Sequence, residues 1–296
     1  MRFFVWLISI LFITFGVNYT VYGQANLYLS ANNAVLIDQT TGEILYEKDA
    51  HEQQPIASIT KIMTAIIAIE SGKMDEKAKA SRRAIYTEGS SIYLEQGEKM
   101  LLEDLVYGLM LRSGNDAAVA IGEHVAGSVE GFVYLMNEKA SWLGMTNTHF
   151  ENPHGLDSDN HYSTAYDMAL LMKYAMENPK FEKITGATFH QAQTRSYGWG
   201  NKNKLLTSLY ENCIGGKTGF TKKSGRTLTT VANKDDFHLI AVTLNAPNDW
   251  QDHIQMYEWG FNHLLEESTE TLGDPVFKPH FYDDVMLALK KISGFY

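Results

Sequence analysis

Three short clusters in this chain carry residues that could make and break an acyl bond. Ser58-Ile59-Thr60-Lys61 places a hydroxyl and an amine three residues apart, on one face of a helix, so the amine can reach the hydroxyl. A serine is a poor nucleophile until a base takes its proton. Lysine becomes a base only if burial or a second cation lowers its pKa. Ile56, Ile62 and Met63 would supply the burial, and Lys217, in Lys217-Thr218-Gly219, the second cation. Ser58 at a helix start also sets backbone N–H groups beside a reacting carbonyl. Between these clusters lies Ser113-Gly114-Asn115. Asn115 offers a donor and an acceptor to orient Lys61 and a substrate amide, and Ser113 can relay a proton. Gly215 and Gly216 before Lys217, and Gly219 after it, would let an extended substrate pair closely with a strand edge. Each cluster alone also reads as a plain cap or turn; their order and contexts give the joint reading its weight.

The elements that must position these groups follow from patterning. Ala34–Asp38 and Glu43–Lys48 read as a hairpin. Ser58–Glu70 is apolar on most faces and reads as a buried central helix. Helices are predicted over Leu102–Arg112, Asp116–Ala126 and Glu130–Leu143. Residues 73–100 are polar and mixed, and 146–163 form a polar loop. Ser163-Thr164 followed by Asp167 caps a helix from Ala165 to Glu177. Strands are predicted over Gln191–Tyr197, Ile214–Thr221, Arg226–Asn233 and Phe237–Asn245, then a helix from Trp250 to Leu265. Strands at both ends with helices between them predict one sheet assembled from both termini, an α/β (α+β) fold. Ser268–Pro279 reads as irregular, and Tyr282–Ile292 as a short amphipathic helix.

Composition narrows the rest. The chain has 296 residues, 45% hydrophobic and 20% charged, a globular profile. Its net charge of -10 repels phosphate backbones, so no nucleic-acid partner is expected. The one cysteine, Cys213, excludes an internal disulfide framework and a cysteine-based zinc cluster, and reads as a small apolar filler. Arg2, the apolar run Phe3–Val17 and the small residues Gly23 and Ala25 form a signal-peptide layout over residues 1–25; about 20 apolar residues would be needed to span a membrane. The chain is therefore expected to be exported. His149, His154 and His161 with Asp157 and Asp159 crowd the 146–163 loop, but their spacing fits no helical ligand pair, so no metal and no cofactor is expected.

Taken together, the three clusters resemble those of the serine D-alanyl-D-alanine carboxypeptidases, the low-molecular-mass penicillin-binding proteins. Pro55–Ala65 resembles the nucleophile segment of that family and Ala34–Tyr46 its opening hairpin. Asn152–Asp157 with His161–Ala165 and Asp167 resembles its central loop, and Gly216–Thr221 with Ser224–Leu228 its substrate strand and turn. The likeness covers roughly residues 30–265. It implies a β-lactamase/transpeptidase-like fold, a helical subdomain on a mainly antiparallel sheet flanked by helices. It implies Ser58 as nucleophile and Lys61 as its base, with Ser113 and Asn115 moving protons and orienting substrate. Lys217, Thr218 and Gly219 would bind the substrate strand and its terminal carboxylate, with Lys202 as a further cation. The N–H groups of Ser58 and Phe220 would form the oxyanion hole. The implied partners are a peptidoglycan stem peptide ending in D-Ala-D-Ala and β-lactam antibiotics as covalent inhibitors. The expected divisions are a signal peptide at 1–25, a catalytic domain at 26–266 and a tail at 267–296. With residues 267–296 alone following the expected catalytic domain, the family's second, β-rich domain is not expected here, and the Tyr282–Tyr296 segment could replace its anchor helix or pack on the domain. Membrane surface contact through the tail is therefore left open, with packing or disorder favoured because its moment is modest and it offers two lysines. A β-lactamase is the competing reading, for which Glu151 lies at a tempting distance but lacks the expected Glu-x-x-Leu-Asn texture. An endopeptidase or transpeptidase would use the same nucleophile.

Overall fold

The computed structural model describes residues 27–273, with side chains to 266. The signal-peptide segment and the Tyr282–Ile292 helix lie outside the described residues. Strands β1 (Asn33–Asp38) and β2 (Ile44–Lys48) form the predicted hairpin. At the other end, β7 (Cys213–Thr221), β8 (Gly225–Lys234) and β9 (Phe237–Leu244) form a meander. β9 pairs with β1 and closes one antiparallel sheet in the order β2-β1-β9-β8-β7. β7, which carries Lys217, is therefore an edge strand with one side open to a guest.

The alternation along β1 shows how the sheet is held. Val35 and Ile37 face the helical side, and Ala34 and Leu36 face α8 (Asp249–Gly273). On the helical side lie α1 (Lys61–Glu70), α3 (Leu102–Arg112), α4 (Asn115–Ala126), α5 (Val129–Trp142), α6 (Ala165–Met176) and α7 (Pro179–Thr185). α1 is buried from Lys61 to Ile69 and packs against α3, α4, α5, α6 and α7. That position explains its all-round apolar sequence, and it encloses the helix carrying Lys61 on all sides.

Several expectations are corrected. Residues 73–100, read only as polar and mixed, carry β3 (Lys77–Lys79), α2 (Arg82–Ile85) and the start of β4 (Lys99–Leu101), which pairs with β3. The two strands bury only Ala78 and Met100, too few positions to make a periodic signal. α7 went unread, although Asn178 caps it and Pro179 opens it. Gln191–Tyr197 is a loop, not a strand, between the two-residue strands β5 (Phe189–His190) and β6 (Trp199–Gly200). Its polar groups are used in turns and in the Arg195–Glu98 ion pair rather than in a ladder. α8 continues through Ser268 to Gly273, so that part of the tail is helical; no Gly or Pro stands between Leu265 and Gly273 to end it. At α6 the Thr164 hydroxyl accepts from Asp167 N as expected, but the Asp167 carboxylate turns to Asn147 N and Thr148 Oγ1 and ties down the 146–163 loop.

Candidate active site

Ser58 stands on a 3-10 turn, Ala57–Thr60, that runs straight into α1. In a 3-10 turn residues i and i+3 eclipse, so Lys61 is stacked over Ser58 more directly than in an α-helix. Ala57, just before the serine, holds a left-handed φ of 49°. Its surroundings enforce this bend. Thr227 Oγ1 on β8 donates to Ile56 O at 2.9 Å, and Thr60 Oγ1 meets His161 Nε2 at 2.8 Å. Gly155 presses so closely on this turn that a Cβ there would collide with the Ala57 carbonyl. The 146–163 loop therefore backs the serine turn, while β7 approaches from the front. A Cβ on Gly219 would lie 2.9 Å from Ser58 N, so only glycine lets the strand edge come this near.

Lys61 is fully buried. Its Nζ lies 2.9 Å from Ser58 Oγ, 2.7 Å from Asn115 Oδ1 and within hydrogen-bond reach of the His154 carbonyl. A neutral amine has two N–H donors and one lone pair. The Asn115 and His154 oxygens can take the two donors, which leaves the lone pair for the Ser58 hydroxyl. The environment favours that neutral form. Burial holds Lys61 well below its usual range, the Lys217 and Lys202 cations push it further down, and the Asp116 carboxylate opposes them. His154 is itself kept neutral, lowered to about 3 by burial and by Lys61.

Asn115 opens α4, and its Nδ2 donates to Glu88 O at 2.6 Å. Its amide is therefore fixed in one orientation, oxygen toward Lys61. Ser113 ends α3 in a left-handed conformation, φ 64°, which turns its hydroxyl toward Lys217. Lys217 Nζ donates to Ser113 Oγ at 3.1 Å and to Thr218 O at 2.7 Å. Lys217 is buried on β7, and burial followed by Lys202 lowers it to about 7. Lys202 Nζ donates to Ser90 Oγ at 3.3 Å. A cavity of about 380 Å³ is lined by Ser58, Ser113, Lys202, Thr218, Gly219 and Phe220, among others. Lys61, Asn115 and Lys217 stand behind this lining, each bonded to its serine or its partner lysine. The sequence-predicted residues are thus brought together at one opening. Phe220 contributes from an exposed position on the strand edge.

These distances set a Ser–Lys pair, a second Ser–Lys pair and an open antiparallel edge around one cavity, which suits acyl transfer from an extended peptide. Residues 20–248 match the D-alanyl-D-alanine carboxypeptidase family. The chain belongs to that family. Among its relatives is the D-alanyl-D-alanine carboxypeptidase DacF of Bacillus subtilis, 37% identical over 257 residues, or 82% of this chain. The chain spans 66% of that relative's length. Of solved structures, penicillin-binding protein 6B of Escherichia coli aligns with a TM-score of 0.75 and 32% identity over 82% of this chain and 80% of that one. A Streptomyces DD-transpeptidase aligns with a TM-score of 0.75 and 28% identity over 80% of this chain and 99% of that one.

For a carboxypeptidase-family chain, several contributors escaped the sequence reading. The His154 and Glu88 carbonyls are backbone groups without a sequence signature. Thr227 and Ser90 are ordinary residues made relevant by where the strand and the loop lie. The crowded histidines are accounted for by hydrogen bonds. His161 Nδ1 accepts from Glu151 N, His149 Nδ1 lies 2.6 Å from Asn160 O, and His154 Nδ1 accepts from Leu156 N. Cys213 is buried, its thiol raised to about 11 by burial, which makes it an unreactive filler. No helix among the described residues is long and apolar enough to cross a membrane.

Proposed function

We propose that this chain is an exported serine D,D-carboxypeptidase that removes the terminal D-alanine from peptidoglycan stem pentapeptides and is acylated by penicillin at Ser58. In this reading Lys61 Nζ takes the Ser58 proton as Oγ attacks the penultimate D-alanine carbonyl. The N–H groups of Ser58 and Phe220 hold the oxyanion. Asn115 orients Lys61 and the substrate amide. Lys217, Thr218 and Gly219 receive the terminal residue on the β7 edge, with Lys202 as a further cation toward its carboxylate. The C–N bond breaks as the leaving amine gains a proton through Ser113, and water then cleaves the acyl-enzyme. The observation that carries the reading is the contact of a buried Lys61 amine with Ser58 Oγ, beside two oxygens that can occupy its N–H groups. The expected domain division keeps 26–266 as the catalytic unit behind a signal segment at 1–25.

Two other outcomes of the same acyl-enzyme are distinguishable. Likeness to the Streptomyces DD-transpeptidase supports a reading in which an amine replaces water as acceptor. A β-lactamase would need Glu151 to activate water. The Glu151 carboxylate instead accepts from Ser158 Oγ, and from Asn160 Nδ2 at 3.4 Å, within its own loop. The test incubates the protein with a peptide ending in D-Ala-D-Ala, measures free D-alanine with and without an amine acceptor, and follows penicillin in parallel. Release of D-alanine, a penicillin adduct mapped to the Ser58 peptide, and an adduct that persists for minutes equally in Glu151→Gln are expected. Rapid penicillin turnover that collapses in Glu151→Gln would make the chain a β-lactamase.

A further inference from the structure

Asp116 follows Asn115 on the first turn of α4 and is a buried charge that the proposed reaction does not use. Its carboxylate meets hydrogen-bond donors from a loop that has no regular structure. Oδ2 accepts from Ser91 Oγ at 2.6 Å and from Leu94 N at 3.0 Å, and Oδ1 accepts from Ile92 N at 3.0 Å and from Ala117 N at 2.9 Å. Without that carboxylate the Ile92 and Leu94 N–H groups would be left buried without their acceptor, a state folded proteins avoid. The same loop grips Asn115 from both sides of its residue. Ser90 O accepts from Asn115 N at 2.7 Å, and Glu88 O accepts from Asn115 Nδ2 at 2.6 Å. Ser90 also lines the substrate cavity and meets Lys202.

We infer that Asp116 is a positioning residue for acylation: by gathering the Ser91, Ile92 and Leu94 donors it fixes the 88–94 loop, which holds the Asn115 amide against Lys61 and walls the cavity at Ser90. This rests on the reading that Ser58 is the acylated residue. The carboxylate has a second consequence. Around Lys61 stand Lys217 from β7, Lys202 from the segment after β6, and the neutral His154 from the 146–163 loop. Burial, Lys217 and Lys202 lower the Lys61 pKa, and Asp116 opposes them by raising it. Removing the negative charge drops Lys61 further, so the rising limb of the acylation profile moves to lower pH.

The experiment uses the full chain and a fluorescent penicillin, with limiting acylation rate, half-saturating concentration and pH profile measured for the parent, Asp116→Asn and Ser91→Ala. Thermal melts report the folded fraction. A parent that takes no label at Ser58 defeats the functional reading, and this inference with it; a labelled parent isolates Asp116 as the question. Folded Asp116→Asn should acylate roughly 10- to 100-fold more slowly, as for a small misplacement of reacting groups. The loss should fall in the limiting rate more than in half-saturation, with the pH midpoint lowered. Ser91→Ala keeps the charge and should slow the limiting rate about two- to fivefold at an unmoved midpoint, because the Ile92 and Leu94 N–H groups still tie the loop to the carboxylate. A folded Asp116→Asn with the parent's limiting rate overturns the inference. A midpoint that stays or rises overturns its electrostatic part. If Asp116→Asn does not fold, Ser91→Ala decides, and a parental rate there overturns the inference.

Discussion

Two fully buried basic groups lie on opposite faces of one sheet, and only one of the two touches the wall of an open cavity. His253, on α8, is enclosed by the sheet. Its Nδ1 lies 2.7 Å from Thr230 Oγ1 and its Nε2 lies 3.0 Å from Thr243 Oγ1, and Tyr257 OH joins the same Thr230 hydroxyl. Burial lowers it to about 3. Lys61 is also depressed by burial, but two lysines add to the effect, and one of its contacts is a hydroxyl on the wall of an open cavity. Burial alone makes a base neutral. A general base must also touch the hydroxyl whose proton it would take, at a place a substrate can reach, and its other bonds must hold it there.

Replacing the group on the catalytic side should have the largest effect. Lys61→Arg keeps a cation but cannot release a proton at working pH. Turnover should fall on the order of 10²- to 10⁴-fold, the usual worth of a general base. Measuring D-alanine release across pH checks this: the parent profile should rise with pH well below the ordinary lysine value of about 10.4, and the variant should show no such limb. An active Lys61→Arg protein would put the base elsewhere and erase the contrast with His253.

Next in size is the carboxylate recognition proposed for Lys217. A substrate whose terminal carboxylate is amidated should lose about 2–4 kcal/mol in kcat/KM, more than an ordinary charge-assisted contact because the site is shielded. Equal rates for amide and acid would point to internal bonds as the true substrate.

The His253 side should respond in stability rather than rate. Its folded pKa lies below its unfolded value, so the unfolded chain binds the extra proton. The stability is present above about pH 6.5 and is lost as pH falls toward 3, at up to about 1.4 kcal/mol per pH unit from this residue. Chemical denaturation of the parent and His253→Gln across pH 4–7 should show a shallower slope in the variant, with turnover per folded molecule unchanged. A turnover loss there would mean that the two faces are coupled. Smallest of all, Cys213→Ala should cost on the order of 1 kcal/mol, as a truncated core side chain, and leave thiol reagents and activity indifferent. Inactivation of the parent by such reagents would contradict a buried thiol raised to about 11.

The sequence by itself determined the sheet from both termini, the buried α1 and helices α3 to α6, because long apolar periodicity survives without knowledge of the partner. It also singled out Ser58, Lys61, Ser113, Asn115 and Lys217 as candidates, because helix spacing, a helix-to-helix turn and a glycine-rich strand are local features of the sequence. Short pieces such as β3, β4 and the 191–197 loop were not legible, since they bury one side chain or none in a regular pattern. What only the tertiary structure decided is how Lys61 is held. Its Nζ bonds the His154 carbonyl from one loop and an Asn115 amide that is itself fixed by the Glu88 carbonyl of another. Every residue carries a carbonyl, so no side-chain pattern marks the few that matter; they acquire a role only when chain segments distant in sequence are packed against the same amine.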